Sequence, residues 1–374
     1  MFIGTIIICV MRYNAKVRKM KTKLVYVLTC APEATYIEQA LISIWSARYH
    51  NPDAHIVLLV DDKTNGLFVG KRAEVLEYIT EKVIVPFEDN NATMMYRSRW
   101  IKTQVRQLVK GDFLFIDCDT IVNKSLEEID EVKADVAAAP ESNLPIADFH
   151  PSLYQSMEEN AKKIGWDMAG EEYYYSSGVI YVKDTPVAHK MFQLWHQYWI
   201  DGGQIGINID QPSLAKANID CGHLIERIDN TWNCIMFTYP RQANEANILH
   251  FAAYRNVSFL FSKRVLRYIK DNGLTEYIKG YIIHPTNSYI PFDSEFYHYG
   301  LKDYVARYCL LYRGIKDYAH HIDPKFEDYT PKNIVSKLLK GRMYLLAGVA
   351  LILAKWKRIQ LSKKYKYTEN ICAK

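Results

Sequence analysis

The chain has 374 residues, 49% of them hydrophobic and 24% charged, a globular balance that excludes a disordered polymer and leaves room for a large core. Its net charge of +5 is uneven: residues 332–374 carry eleven Lys or Arg against one acid, Glu369, while the remainder holds 36 basic and 41 acidic groups. The seven cysteines (30, 118, 221, 234, 309, 372 and 9) are odd in number and never spaced C-x-x-C, so neither a disulfide framework nor a zinc ribbon is indicated and a reducing compartment is expected.

Residues 1–19 include the apolar run "FIGTIIICVM", about ten residues against the ~20 that span a bilayer. No basic region precedes it and no small-residue cleavage site follows. Met20 opens "MKTKLVYVLTC" and is expected to be the true start, with 1–19 an over-called extension or, alternatively, a short membrane-touching segment. "KLVYVLTC" (23–30) is then a β-branched strand, and "YIEQALISIWSARYH" (36–50) has apolar residues at helical spacing. "AHIVLLVDD" (54–62) is a second strand ending on Asp61 and Asp62. A helical stretch around 71–78 leads into a third strand, "EKVIVPF" (81–87). "YRSRWIKTQVRQLV" (96–109) is a helix and "DFLFIDCD" (112–119) the fourth strand. "DVAAAP" (135–140) and "SSGVIYVK" (176–183) supply later strands, and "VAHKMFQLWHQYW" (187–199) another amphipathic helix. Strands that are apolar on both faces and alternate with helices predict an α/β fold with an open, mostly parallel sheet covered on both sides.

In such sheets ligands bind beyond the carboxyl ends of the strands. "FLFI" delivers Asp117 and Asp119 to that edge, where positions i and i+2 of an extended chain face the same side. Two carboxylates held so close repel each other unless a cation lies between them. Oxygen ligands suit Mg²⁺ or Mn²⁺, which also bridge to diphosphate oxygens. A D-x-D tripeptide alone is weak evidence, because a strand-end Asp can simply cap a turn. The preceding strands in βαβ order strengthen it. Arg99 and Lys102 share one helix face at i and i+3; a solvated basic face is the bland alternative. Asp210 opens "DQPSLAKA", where it can serve as a helix N-cap.

Four motifs in one order resemble a GT-A fold glycosyltransferase using a nucleotide-diphosphate sugar, family 8 and its near relatives above all. "SRWIKTQVRQLVKGDFLFIDCDTIV" is similar to that family's Arg-bearing helix followed by the D-x-D strand. "YYYSSGVIYVK" resembles its N-[AS]-G-[VL] strand with Ser176 in place of Asn, "NIDQPSLAKA" its D-Q-x-x-[LF] segment, and "ILHF" its metal-binding histidine. The resemblance covers roughly residues 22–260. It implies that Asp117, Asp119 and His250 hold Mn²⁺ (or Mg²⁺) against two phosphates. Arg99 and Lys102 would reach the pyrophosphate or nucleotide, Asp61 and Asp62 the base or ribose, and Ser177 and Gly178 the donor sugar. Asp210 and Gln211 would face the reacting carbon. The family's following H-x-x-G-x-x-K pattern is absent from "HFAAYRN", leaving Arg255 or Lys263 as replacements for its lysine. Glu171 and Glu172 are candidate acceptor contacts or plain surface charges.

The resemblance assigns residues 20–260 to a GT-A catalytic domain, and residues 261–331, Tyr-rich and expected to be helical, would shape the acceptor side. Residues 332–374 form a basic tail in which "MYLLAGVALILA" (343–354), about 18 Å long as a helix, is flanked by Lys and Arg. Too short to span, it suits an anionic membrane surface, with packing on the body as the alternative; the basic residues form no aromatic-interleaved stripe for nucleic acid. The expectation is a cytoplasmic enzyme, peripheral on the inner face of the membrane. It would move a hexose from a UDP-sugar to a saccharide or lipid-linked saccharide, with retention. Alternatives are an inverting transferase with Asp210 as base, a sugar-1-phosphate nucleotidyltransferase, and a non-catalytic binding protein.

Overall fold

The computed structural model describes residues 20–288, apart from 88, 90, 150, 239, 252–257 and 259. Arg255 and the 332–374 tail lie outside the described residues, as do residues 1–19. The first half follows β1 (Lys23–Leu28), α1 (Tyr36–His50), β2 (Ile56–Asp61), α2 (Asp62–Asn65) and β3 (Glu81–Val85). Next come α3 (Met94–Thr103), α4 (Val105–Leu108), β4 (Phe113–Ile116), β5 (Thr120–Val122) and β6 (Val136–Pro140). The second half is α5 (Pro151–Lys163), β7 (Tyr175–Val182), α6 (Pro186–Gln204), α7 (Gln211–Asp220) and β8 (Ile225–Arg227). It closes with β9 (Cys234–Ile235), β10 (Ile248–His250), α8 (Lys263–Asn272) and α9 (Glu276–Ile283).

The main sheet has the order β3-β2-β1-β4-β7-β6-β8. β3, β2, β1 and β4 are parallel, β7 runs against both β4 and β6, and β8 is parallel to β6. The alternation of side chains along a strand divides the apolar residues between two layers. From β1, Leu24, Tyr26 and Leu28 join the core under α1, whereas Val25 and Val27 join the core under α3, α6 and α7. Phe113 and Phe115 of β4 belong to the second layer, Leu114 and Ile116 to the first. Burying a side chain of this size contributes about 1.5–3 kcal/mol. The pleat therefore holds the sheet between its helices and fixes which strand ends stand where.

Two departures from the sequence-based expectations bear on the site. The stretch read as one helix over 96–109 is broken at Gln104 into α3 and α4. Thr103 Oγ1 bonds back to the Arg99 carbonyl at 2.9 Å and lies 2.7 Å from His196 Nδ1, and back-bonding of this kind bends helices. The fourth strand ends at Ile116, so Asp117–Asp119 are not extended: they form the turn between β4 and β5. Thr120 Oγ1 donates to the Asp117 carbonyl at 2.8 Å and closes that turn.

A second sheet, in the order β5-β10-β9, grows from this turn. Its α1-facing side is held by polar contacts: Ser43 Oγ meets Thr120 Oγ1 at 2.8 Å, and Ser46 Oγ accepts from the Val122 amide at 2.9 Å. Helices α8 and α9 lie beyond the expected boundary at 260, yet Val265, Leu266, Ile269, Ile278 and Ile282 enter the same core as α1 and β1.

Candidate active site

The carboxyl ends of β1, β2 and β4 meet the start of β7 and the N-terminus of α7. Antiparallel pairing of β4 with β7 sets Ile116 opposite Val179, and the Asp117 amide then donates to the Gly178 carbonyl at 2.8 Å. In the second sheet, β5 pairs antiparallel with β10 so that Thr120 faces His250, and the Phe251 amide donates to the Asp119 carbonyl at 3.0 Å. Two registers thus bring together residues that are about 130 positions apart in the chain. Asp117, Asp119 and His250 each offer one ligand atom, and these atoms lie within 4.8 Å of one another. His250 Nε2 is 3.2 Å from Asp119 Oδ1. Two carboxylate oxygens and one imidazole nitrogen make a donor set that fits a divalent first-row ion.

Gly178 is the steric condition for this cluster. A Cβ there would collide with His250 Cε1, and would stand 2.9 Å from His250 Nδ1 and 3.2 Å from Asp117 Oδ2. Glycine is needed for space, not for an unusual backbone angle.

Lys102 is not on a solvated face. It is buried at 2% exposure, with its Nζ 3.2 Å from both Asp117 oxygens, 3.2 Å from Ser177 Oγ and 3.3 Å from Asp210 Oδ2. Its ammonium also lies 5.0 Å from the centroid of the Phe115 ring. Arg99 Nε reaches Asp210 Oδ1 at 2.9 Å. The side chain of Asp210 makes no capping bond at α7, although its carbonyl begins the helix and accepts from Trp195 Nε1 at 2.8 Å. The carboxylate is free of the local cap role and engaged with two cations.

The electrostatics separate the two carboxylates that share Lys102. At Asp210 burial opposes the charged form, but Lys102 and then Arg99 outweigh it and hold the carboxyl well below the usual carboxylate range. At Asp117 burial dominates and, with Asp119 beside it, leaves the carboxyl raised despite Lys102. Burial acts against a charged His250, yet Asp119 outweighs it and the imidazole is raised above its ordinary value. Arg99 is raised chiefly by Asp210.

Gln211 stands beside Asp210 at the start of α7, and its Nε2 donates to Glu141 Oε2 at 2.6 Å and lies 3.5 Å from the Tyr175 carbonyl. A carboxylate only accepts, so the amide is oriented with Nε2 toward Glu141. Glu141 is a site residue that sequence reasoning missed; the one signal was an acidic residue at the end of a buried strand, "VAAAPE". Asp61 is fully buried, accepts from the Thr64 amide at 2.8 Å through Oδ1 and pairs with Arg97 Nε through Oδ2. Arg97, also missed, donates to the Ala92 carbonyl at 2.7 Å. Asp61 thus shapes the loop after β2, and the exposed Asp62 follows it at the surface. Ser176 Oγ accepts from the Gly178 amide at 3.4 Å. Lys263 opens α8, Glu171 lies 3.5 Å from His223 Nδ1, and Glu172 is exposed.

An α/β sheet of this order with carboxylates and a histidine gathered at its strand ends is a fold of the GT-A type. Residues 28–255 match the family model described as "Glycosyl transferase family 8", and the chain belongs to that family: it is a glycosyltransferase. No curated protein matches it. Among solved structures it is similar to apo mouse xyloside xylosyltransferase 1 at 14% identity, covering 62% of this chain and 97% of that one, with a TM-score of 0.41. It is likewise similar to the galactosyltransferase LgtC with donor and acceptor sugar analogs, at 13% identity, coverage of 69% and 99%, and a TM-score of 0.43. For the glycosyltransferase GlyE of Streptococcus pneumoniae TIGR4 the values are 17% identity, 74% and 66% coverage, and 0.43.

Substituting Gly178→Ala is expected to push His250 and Asp117 apart and to weaken Mn²⁺ binding by at least about tenfold. Calorimetric titration of Mn²⁺ into the variant checks this. An unchanged titration would show that the three side chains do not share one ion.

Proposed function

We propose that this glycosyltransferase is metal-dependent and moves a hexose from a UDP-sugar to a saccharide or lipid-linked saccharide acceptor. The observation that carries the reading is the convergence of Asp117, Asp119 and His250 beside the Lys102–Asp210 pair. In this reading the first three hold Mn²⁺ or Mg²⁺, which when bound neutralises charge on the departing nucleoside diphosphate. Arg99 and Lys102 supply fixed positive charge toward the donor, and Ser177 and Gly178 border the sugar. Gln211, with Nε2 held by Glu141, turns its carbonyl oxygen toward the reacting carbon, where positive charge develops.

Two cations on Asp210 favour retention over inversion. A general base must take a proton, and a carboxylate stabilised as an anion by Lys102 and Arg99 is poorly suited to do so. Asp210 instead offers standing negative charge on one side of the site. In the retaining reading the departing phosphate deprotonates the acceptor.

The site's place in the cell is also a proposal. The basic 332–374 tail supports docking on the inner face of an anionic membrane from the cytoplasm, at about 1 kcal/mol per Lys or Arg near the surface. Among the described residues no helix is long and apolar enough to cross a membrane.

Calorimetry with UDP tests the donor assignment. Binding is expected with Mn²⁺, to be lost with excess chelator, and to weaken by about 10- to 100-fold or more in Asp117→Asn/Asp119→Asn. UDP binding indifferent to chelator and to both substitutions would sink the metal reading. The anomer of the product, read by proton NMR as it forms, is expected to match the donor. The opposite anomer would restore Asp210 as a base. Removing residues 332–374 is expected to abolish flotation with phosphatidylserine vesicles, and flotation that survives the truncation would exclude the tail as the anchor.

A further inference from the structure

Behind His250 lies a buried run of asparagines that neither the family motifs nor the proposed chemistry accounts for. Asn233 is fully buried, immediately before β9, and β9 runs parallel to β10 with Leu249 opposite Cys234. This register places the Asn233 side chain against the imidazole, with Oδ1 2.9 Å from His250 Nδ1. An amide oxygen only accepts, so in this contact the hydrogen is on Nδ1. Nε2, on the opposite side of the ring and 3.2 Å from Asp119 Oδ1, is then the nitrogen that would be available to a cation shared with Asp119.

The position of Asn233 is itself over-determined. Asn143 Nδ2 donates to the Asn233 carbonyl at 2.8 Å, and Asn143 Oδ1 accepts from the Ile235 amide at 2.7 Å. Because one partner is a backbone carbonyl and the other a backbone N–H, the Asn143 amide has a single possible orientation. Asn143 holds a left-handed backbone, φ 57°, next to Ser142 at φ 58°. Asparagine tolerates that conformation best among residues with a side chain at Cβ. Asn230 Nδ2 donates to the Asn143 carbonyl at 3.0 Å and completes the clamp. Asn143 thus grips the backbone on either side of Cys234, beginning at the carbonyl of residue 233, and residue 233 faces the histidine. Asn233 Nδ2 makes no hydrogen bond among the described residues, so the part of its side chain that is used is the oxygen facing His250.

We infer that Asn233 is a positioning residue for the metal site: its Oδ1 holds the His250 ring with Nδ1 protonated and Nε2 presented beside Asp119, and Asn143 holds Asn233. This rests on the metal reading proposed above. A ligating histidine commonly donates its other ring N–H to an oxygen that fixes tautomer and ring orientation, and loss of such a partner typically lowers metal affinity by about 10- to 100-fold.

The test compares Asn233→Leu, branched at Cγ in the same way and without an acceptor, with Asn233→Asp, which keeps an oxygen at the same place. Since Nδ2 has no partner, the aspartate removes no bond. Mn²⁺ affinity of the full chain is measured by the electron paramagnetic resonance of the free ion, with metal-free thermal midpoints as the measure of folding. The expected result is 10- to 100-fold weaker Mn²⁺ binding by folded Asn233→Leu and affinity within about threefold of wild type for Asn233→Asp. Wild-type affinity in folded Asn233→Leu would overturn the inference, provided His250→Ala loses the ion. If Asn233→Leu does not fold, a folded Asn233→Asp that binds Mn²⁺ more than tenfold worse than wild type overturns it equally. Should His250→Ala bind Mn²⁺ as wild type does, the metal reading itself fails.

Discussion

One ammonium group holds this site together. Lys102 Nζ is nearly without solvent and touches Asp117, Asp210 and Ser177 at 3.2–3.3 Å. Its three partners come from the end of β4, the start of α7 and the edge of β7, so a single side chain on α3 joins four elements. An unpaired charge in such a place is costly, and each partner relieves the burial of the others. A compact ammonium with three donors can be shared among acceptors converging from different directions, which a planar guanidinium cannot do as well. Arg99, one turn away, adds the second cation that Asp210 needs.

The remaining geometry follows from how the strands meet. The reversed strand β7 sets Gly178 beside Asp117, and only a residue without a Cβ leaves space there for His250. The turn at 117–119 ends the main sheet and starts the smaller one, so the two aspartates sit at the junction of both. A longer β4 would keep Asp119 in the main sheet and away from His250. The close of β4 at Ile116 therefore belongs to the site as much as the aspartates do.

Much of this is legible in local sequence. α1 runs over Tyr36–His50 as its apolar spacing predicts, and the strand "FLFI" falls where four unbroken apolar residues place it. Asp117, Asp119 and His250 are named by the family resemblance, and they do come together in space. What escapes is whatever depends on partners far along the chain. Glu141 shows its proximity to Gln211 only when β6 and α7 are brought side by side. Arg97 and Arg99 are two residues apart on one helix, yet one is spent on Asp61 and the other on Asp210; no periodicity distinguishes them. The helix break at Gln104 and the reversal of β7 are likewise tertiary. Asn233 follows a tryptophan in "TWNC", where nothing local marks it as facing a histidine.

The two aspartates that share Lys102 show how one environment sets two roles. Both lie within reach of Lys102, and burial opposes the charge of each. Asp210 has Arg99 as well, and the two cations outweigh the cost of its burial. Asp117 has Asp119 as a neighbour instead, and the protein's cations compensate it only in part. A carboxylate already balanced has little to gain from a further cation, whereas a partly balanced pair gains a great deal. Positive charge arriving in this pocket is therefore drawn to the Asp117–Asp119 side. The Asp210 side keeps an anion already paired with Lys102 and Arg99. The separation is achieved by the placement of one arginine and one aspartate, with the same lysine common to both halves.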